Sequence, residues 1–292
     1  MIKLIFAKSD AALATFSATM TIKPKHISMT RNKSKDIKFY DALKLVLENR
    51  GRAVESLGNL QEPTIKRILE DYGALFLACE PVYLPPVCMF ADAESVMRFQ
   101  AQTQITAADF DGVTIELQTA ALEALLAARE EAQNLGLNIT PRGGAEAARR
   151  SFDDTLRLWD SRLIPALAHW TELERLTSKE SAGIKDLPLF EQIGEVLELE
   201  KQGIFFSKDF SKSILYSVAA PGCSQHLSLL AFDASEFQNE SVRKILARSG
   251  WFRTVQNDLP HFTFLGRQEA ELPAFGLVKI ETAGDEFWIP NI

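Results

Sequence analysis

Apolar side chains at Phe39, Leu43, Val46 and Leu47 keep the spacing of one helical face and predict a first helix. Glu62-Pro63-Thr64 opens a second, because proline suits a first helical turn, with Ile65, Ile68, Leu69 and Tyr72 on one side. Leu75-Phe76-Leu77-Ala78 is strand-like. In Tyr83-Leu84-Pro85-Pro86-Val87 each proline removes a donor and restricts its predecessor, which predicts an extended connection at a candidate subdomain edge. Residues 93–99 read as a short helix, and 112–117 fit either a strand or a helix entry. Over 117–134 an Ala-, Leu- and Glu-rich run clusters Ala121, Leu122, Leu125 and Leu126 at helical spacing, and Gly136 stops it.

Leu137-Asn138-Ile139-Thr140 alternates as a half-buried strand does, and Pro141-Arg142-Gly143-Gly144 ends it, so Arg142 is expected at a strand end. A further helix is expected from about Ala145, with Leu156, Trp159, Leu163, Leu167 and Trp170 on one stripe and Pro165 kinking or dividing it. Residues 188–199 predict another, with Phe190, Ile193, Val196 and Leu197 inward and Gly203 closing it. Beyond it, 204–206, 214–218, 229–232, 262–264 and 287–289 are β-rich runs separated by turn residues. Helices first and strands later suggest an α+β fold.

Composition bounds the function classes. A chain of 292 residues that is 46% hydrophobic can hold a real core, as one large domain or a domain with an extension. The pattern divides it into a leader or disordered tail over 1–36, a helical extension over 37–110 and a site-bearing domain over 111–292. Lys and Arg number 32 against 39 Asp and Glu, and a net charge of -7 gives no electrostatic reason to expect nucleic acid as a partner.

Lys3 ahead of Leu4-Ile5-Phe6-Ala7 and the small apolar run 11–18 faintly suggest a secretory signal, broken by Lys8 and Asp10. No segment approaches the roughly 18 consecutive apolar residues a membrane span requires. Cys79, Cys88 and Cys223 form no CxxC pair; Cys79 and Cys88 read as small buried hydrophobes, or as a pair if the protein is exported.

The chemistry concentrates between Pro221 and Gly266, which hold two of the four histidines. His226, Asp233 and His261 form a candidate zinc-ligand set, since zinc catalysis takes three N or O ligands and leaves one position for water. His226 and Asp233 are seven residues apart, wrong for two ligands on one helix face as in H-E-x-x-H, but a turn feeding a strand can bring both to one metal. His169, beside a helical stripe, and His26, in the basic leader, have no acidic partner at ligand spacing.

Pro221-Gly222-Cys223-Ser224-Gln225-His226-Leu227-Ser228-Leu229-Leu230-Ala231-Phe232-Asp233 resembles the P-G-x-S-x-H-x-x-G-x-A-x-D signature of D-alanyl-D-alanine carboxypeptidases. These are LAS-type zinc peptidases related to lysostaphin-type enzymes and the hedgehog N-domain. Asp258-Leu259-Pro260-His261 stands where the family has E-x-x-H, and Gly250-Trp251-Phe252 where a helix ends before a G-F pair. The resemblance covers about 219–266 and, more weakly, 117–159. It implies a small antiparallel sheet carrying zinc on His226, Asp233 and His261, with Asp258 as general base. It also implies a peptide substrate, such as a peptidoglycan stem peptide of the cell wall, and a periplasmic or secreted address.

The family's arginine, in an R-S-Y-type turn, corresponds either to Arg150 of Arg150-Ser151-Phe152, by local sequence, or to Arg142, by its strand-end position. Ser224 orients a ligand or caps a turn. Two departures stand out: Leu229 replaces a glycine, which suggests an altered pocket wall, and Asp258 replaces a glutamate, which pulls the carboxylate back by one methylene. The departures leave open a second reading, a zinc-containing, catalytically inactive binding or structural protein of the same fold.

Overall fold

The computed structural model describes residues 37–292; the expected leader, with its signal-like run and His26, lies outside them. Helix α1 (Phe39–Asn49) buries Phe39, Leu43, Val46 and Leu47, the stripe its spacing predicts. Helix α2 (Pro63–Tyr72) starts on Pro63 and buries Ile65, Ile68, Leu69 and Tyr72. The strand-like run after it is instead a 3-10 turn, Gly73–Leu77, buried throughout. Helix α3 (Ala93–Ala101) is started by a capping box between Asp92 and Ser95.

Strands β1 (Ile105–Phe110) and β2 (Val113–Gln118) form an antiparallel hairpin, so the segment 112–117 resolves as strand. Helix α4 (Thr119–Asn134) follows as its spacing predicts. Residues 137–140 form no regular strand. Their continuation pairs only through a bridge between Pro141 and Ala234, with Glu236 accepting from the Thr140 amide and hydroxyl. A side chain here takes the place of a ladder partner.

Helix α5 (Phe152–Glu172) begins later than Ala145 and runs through Pro165 undivided. Its start is set by a capping box in which Ser151 accepts from the Asp154 amide and Asp154 from the Ser151 amide. Arg150 therefore stands just outside the helix. Helix α6 (Ser178–Lys185), not anticipated from the pattern, starts on a similar box between Thr177 and Glu180.

Helix α7 (Leu189–Lys201) buries Ile193, Val196 and Leu197, but Phe190 is exposed, contrary to its expected inward place. The runs 204–206 and 214–218 are not strands either. The first is irregular and the second holds a short 3-10 turn, Ile214–Tyr216, that buries Ile214 and Leu215 without strand pairing. Apolar, β-branched runs do not distinguish the two cases.

Strand β3 (Ala231–Asp233), helix α8 (Glu240–Arg248), strand β4 (Trp251–Phe252) and strand β5 (His261–Phe264) make an antiparallel sheet in the order β3-β5-β4. A second hairpin, β6 (Leu277–Thr282) and β7 (Asp285–Pro290), completes the chain. The architecture is mixed α/β with small antiparallel sheets among helices.

The described residues pack as one compact unit. Residues 37–110, expected as an extension, share a single buried core with the rest, from Phe39, Leu43 and Leu77 to Phe232 and Trp251. All three cysteines are free, Cys88 and Cys223 buried and Cys79 half-buried. Among the described residues no helix is long and apolar enough to cross a membrane.

Candidate metal centre

The β3–β5 register builds the site. Asp233 faces His261 directly across the antiparallel pair, and Ala231 faces Thr263. Side chains alternate along each strand, so His261, Thr263 and Asp233 share one face while Phe232, Phe262 and Phe264 fill the core on the other. His226 arrives from the 3-10 turn Gln225–Ser228 immediately before β3. Turn and strand thus bring together two residues that no helix face could.

That turn is pinned from several directions. Gln100 and Gln118 donate from their side-chain amides to the Leu227 and Ser228 carbonyls, at 3.1 and 2.8 Å, and the Gln118 amide donates to the Leu229 carbonyl at 3.1 Å. Ahead of it, Gly222 has φ +78°, and a Cβ there would lie 2.1 Å from the Phe90 carbonyl oxygen, so only glycine fits. Downstream, Gly250 and Gly266 meet backbone to backbone at the end of the β4–β5 pair.

The three candidate ligands converge. His226 Nε2 lies 3.1 Å from His261 Nδ1 and 3.3 Å from Asp233 Oδ1, and His261 Nδ1 lies 3.1 Å from Asp233 Oδ1. All three are buried. A buried cluster of two imidazoles and one carboxylate, with one donor atom from each drawn into a small triangle, can hold a metal ion.

Hydrogen bonding on the far side of each ring sharpens this. His226 Nδ1 is 3.2 Å from the Ala148 carbonyl, an obligate acceptor, so Nδ1 carries the proton and Nε2 a lone pair. His261 Nε2 is 2.9 Å from Gln225 Oε1. The Gln225 amide is oriented independently, because its Nε2 donates to the Tyr72 carbonyl at 2.9 Å while Oε1 accepts from the Thr263 hydroxyl. His261 therefore carries its proton on Nε2 and leaves Nδ1 a lone pair.

Two ring lone pairs and a carboxylate oxygen then face one another within 3.3 Å, an arrangement that repels itself unless a cation sits between them. Imidazole donating its other N–H to a carbonyl is the usual support of a metal-binding histidine.

The electrostatics agree. Burial, reinforced by the Arg150 charge, pushes the His226 pKa down to about 4, so its ring is neutral near pH 7. Arg150 Nη2 donates to Asp233 Oδ2 at 2.7 Å, which leaves Oδ1 to face the rings.

A cavity of ≈ 170 Å³ opens beside the cluster, lined by His226, Asp233 and His261 together with Arg150, Ser224 and Asp258. Asp258 stands in the turn before β5, half-buried, its carbonyl accepting from the His261 amide, and burial raises its carboxyl pKa. Ser224 makes no side-chain cap to the turn it precedes, so its hydroxyl is left to the cavity. Arg142 does not line it: the Arg142 guanidinium packs over the Phe237 ring, 5.3 Å from its centroid, and only its backbone amide reaches Asp233.

Leu229 is not a wall of this cavity. It sits in the left-handed region, φ 60° and ψ 30°, at the end of the 3-10 turn, with its side chain wholly buried. A glycine suits the position for its backbone conformation, not for space.

Gln225, the Ala148 carbonyl and Arg162 escaped the sequence reading. Gln225 occupies a free position of the motif, a backbone carbonyl has no residue signature, and Arg162 is remote in sequence. A glutamine beside a candidate histidine ligand was the one available clue.

The fold and site define a protein with a buried, preorganised two-histidine, one-carboxylate centre at the mouth of a small cavity. No family model, curated protein or solved structure matches the chain.

Proposed function

We propose that the chain is a zinc-dependent peptidase of the D-alanyl-D-alanine carboxypeptidase type, with a divergent LAS or hedgehog-like fold. The observation that carries it is the ligand triangle with both imidazole tautomers set by the Ala148 carbonyl and Gln225. His226 Nε2, His261 Nδ1 and Asp233 Oδ1 lie 3.1–3.3 Å from one another, and two imidazoles with one carboxylate are a donor set that would suit zinc.

His226, Asp233 and His261 would hold the zinc ion, which when bound would supply a more acidic water and an electrophile for the scissile carbonyl. Asp258, on the same cavity, takes the proton as water attacks the carbonyl carbon and returns it to the leaving nitrogen. Arg150 lends its guanidinium, anchored by Asp233 and by the Glu146 carbonyl, to the negative charge that develops on the carbonyl oxygen. Ser224 offers a hydroxyl to the substrate. A small peptide, such as a cell-wall stem peptide ending in D-Ala, suits the cavity's size.

Two observations favour a second reading, a zinc protein of the same fold that binds but does not hydrolyse. Asp258 is one methylene shorter than the glutamate of the signature it resembles, and part of the Arg150 guanidinium is committed to Asp233.

Metal analysis of protein purified without a histidine tag is expected to give one zinc per chain, lost in the His226→Ala, His261→Ala double variant. Full zinc content in that variant would sink both readings. Hydrolysis of acyl-D-Ala-D-Ala peptides that vanishes in Asp258→Ala with zinc retained supports the peptidase. A zinc-replete wild type inert towards a broad peptide panel leaves the binder.

A further inference from the structure

The face of the β3-β5-β4 sheet turned away from the metal centre carries a pair of unpartnered donors. Trp251 and Arg253, at the end of β4, both lie on it. The Trp251 ring centre is 5.2 Å from that of Phe264, and the Arg253 guanidinium carbon is 5.6 Å from the centre of the Phe262 ring. Both residues are buried, 0% and 4% exposed. Neither the Trp251 Nε1–H nor the Arg253 Nε–H has a hydrogen-bond partner among the described residues. A buried donor left unpaired is costly, so two in one place call for an acceptor.

Both side chains line a cavity of ≈ 60 Å³, together with Arg243, Glu269, Lys279 and Glu286. These last four also line a groove of ≈ 360 Å³ between α8 and the β6–β7 hairpin, so cavity and groove adjoin. The other Arg253 nitrogens are committed, Nη1 to Asp285 at 2.7 Å and Nη2 to the Phe237 carbonyl at 2.6 Å. Arg243 donates to the Phe237 and Gln238 carbonyls at 3.1 and 2.7 Å and has no carboxylate within ion-pair distance among the described residues. Glu269 and Glu286, by contrast, are both taken by Lys279. Burial pushes the Arg253 pKa down, Asp285 supports its charge and the Arg243 charge works against it. Two guanidinium groups thus share one carboxylate, which leaves positive charge beside the two unpartnered N–H groups.

We propose that Trp251 and Arg253, with Arg243 beside them, form a binding site for the carboxylate group of a small molecule that enters through the groove between α8 and the β6–β7 hairpin. The unpartnered groups are all donors, which selects an acceptor, and the unmatched Arg243 charge selects an anion over a neutral carbonyl. A carboxylate offers two oxygens to two donors on different side chains, which a single chloride ion does not. A phosphate dianion would meet Glu269 and Glu286 on the same wall, in a smaller space than it needs. The assignment is independent of the peptidase reading, because none of these residues lines the cavity beside the metal cluster.

Titration of the isotope-labelled full chain with acetate, acetamide, chloride and inorganic phosphate at constant ionic strength tests this by NMR, read at the Trp251 indole N–H and the Arg253 Nε–H. Trp159 and Trp170, whose indoles donate to Gln192 and to the Phe205 carbonyl, are internal references that should stay still. Acetate is expected to move the Trp251 and Arg253 signals along one saturable curve, and acetamide to bind about 10-fold more weakly, the difference a charge-assisted hydrogen bond supplies. Arg243→Gln, which removes the unmatched charge from the surface of α8, is expected to weaken acetate binding by about 10-fold. The wild-type ratio of acetate to acetamide carries the test if that variant does not fold.

No saturable change with acetate overturns the assignment and leaves water as the partner of both donors. Equal binding of acetate and acetamide, tighter binding of chloride or phosphate than of acetate, or acetate binding undiminished in a folded Arg243→Gln variant also overturns it.

Discussion

Gln225 is the residue on which the centre's preorganisation rests most heavily. Its amide oxygen accepts hydrogen bonds from His261 and Thr263 while its amide nitrogen donates to the Tyr72 carbonyl, so one side chain sets a ring tautomer and ties it to the end of α2. If the cluster holds zinc as proposed, Gln225→Ala should leave the three candidate ligands present but lower affinity for added zinc by about 10- to 100-fold, as loss of an outer-shell partner does. Competition titration with a chromogenic chelator measures it, and unchanged affinity would show that the Gln225 contact is incidental.

At the same scale, His226 should behave as a neutral imidazole in metal-free protein. Its pKa of about 4 lies below the ordinary value near 6.5, so between those pH values an unfolded chain takes up a proton the folded one refuses. His226 therefore removes stability as pH falls from 6.5 towards 4 and has no such effect above that window. Asp71, Asp258 and Glu200, whose pKa values burial raises, act in the opposite direction, so a bulk stability profile does not isolate His226. NMR of the metal-free protein does, and its His226 ring signals should stay constant from pH 8 to 5.

Among the elements, the turn-to-strand unit from Gln225 to Asp233 decides the geometry, and Leu229 is its one local conflict. A left-handed conformation costs a branched residue about 1–2 kcal/mol. Burying a leucine in a filled core is worth more, since its loss with the cavity left behind costs about 2.7–5 kcal/mol. Leu229→Gly should therefore destabilise the protein by about 1–4 kcal/mol in urea unfolding, even though glycine relieves the backbone. A stabilised variant would mean that strain outweighs burial here.

Element by element, long amphipathic stripes were legible in the sequence. The stripe of α1, the proline-led start of α2, the run of α4 and the buried face of α5 are local features, repeated several times within each helix. Short apolar runs were not. Residues 204–206 and 214–218 are apolar, β-rich runs, yet neither pairs as a strand, and nothing in runs of three and five residues distinguishes the two outcomes. The beginning of α5 was misplaced for a different reason: Ser151 and Asp154 cap it, whereas residues 144–147 make only a 3-10 turn.

For the molecule as a whole, the N-terminal helices belong to the site's support. Phe39, Leu43, Leu69 and Leu77 are fully buried in the same core as Phe232 and Trp251, and the Tyr72 carbonyl holds Gln225. Deleting 37–110 should abolish cooperative unfolding and zinc retention together, read by circular dichroism in urea and by metal analysis. A folded, zinc-replete remainder would instead make this segment an appendage.

His226, Asp233 and His261 could be named as one candidate centre from order and residue chemistry alone, because ligand identity is carried by the side chains themselves. Their tautomers, the choice of Arg150 over Arg142, the meaning of Leu229 and the presence of Arg162 at the cavity came only from the tertiary structure. Each depends on atoms distant in sequence: the Ala148 carbonyl behind His226, Tyr72 behind Gln225, Phe237 beneath Arg142, Ser217 beside Arg162. Local sequence specifies which groups are available, whereas their protons and directions are set by the partners that the folded chain brings to them.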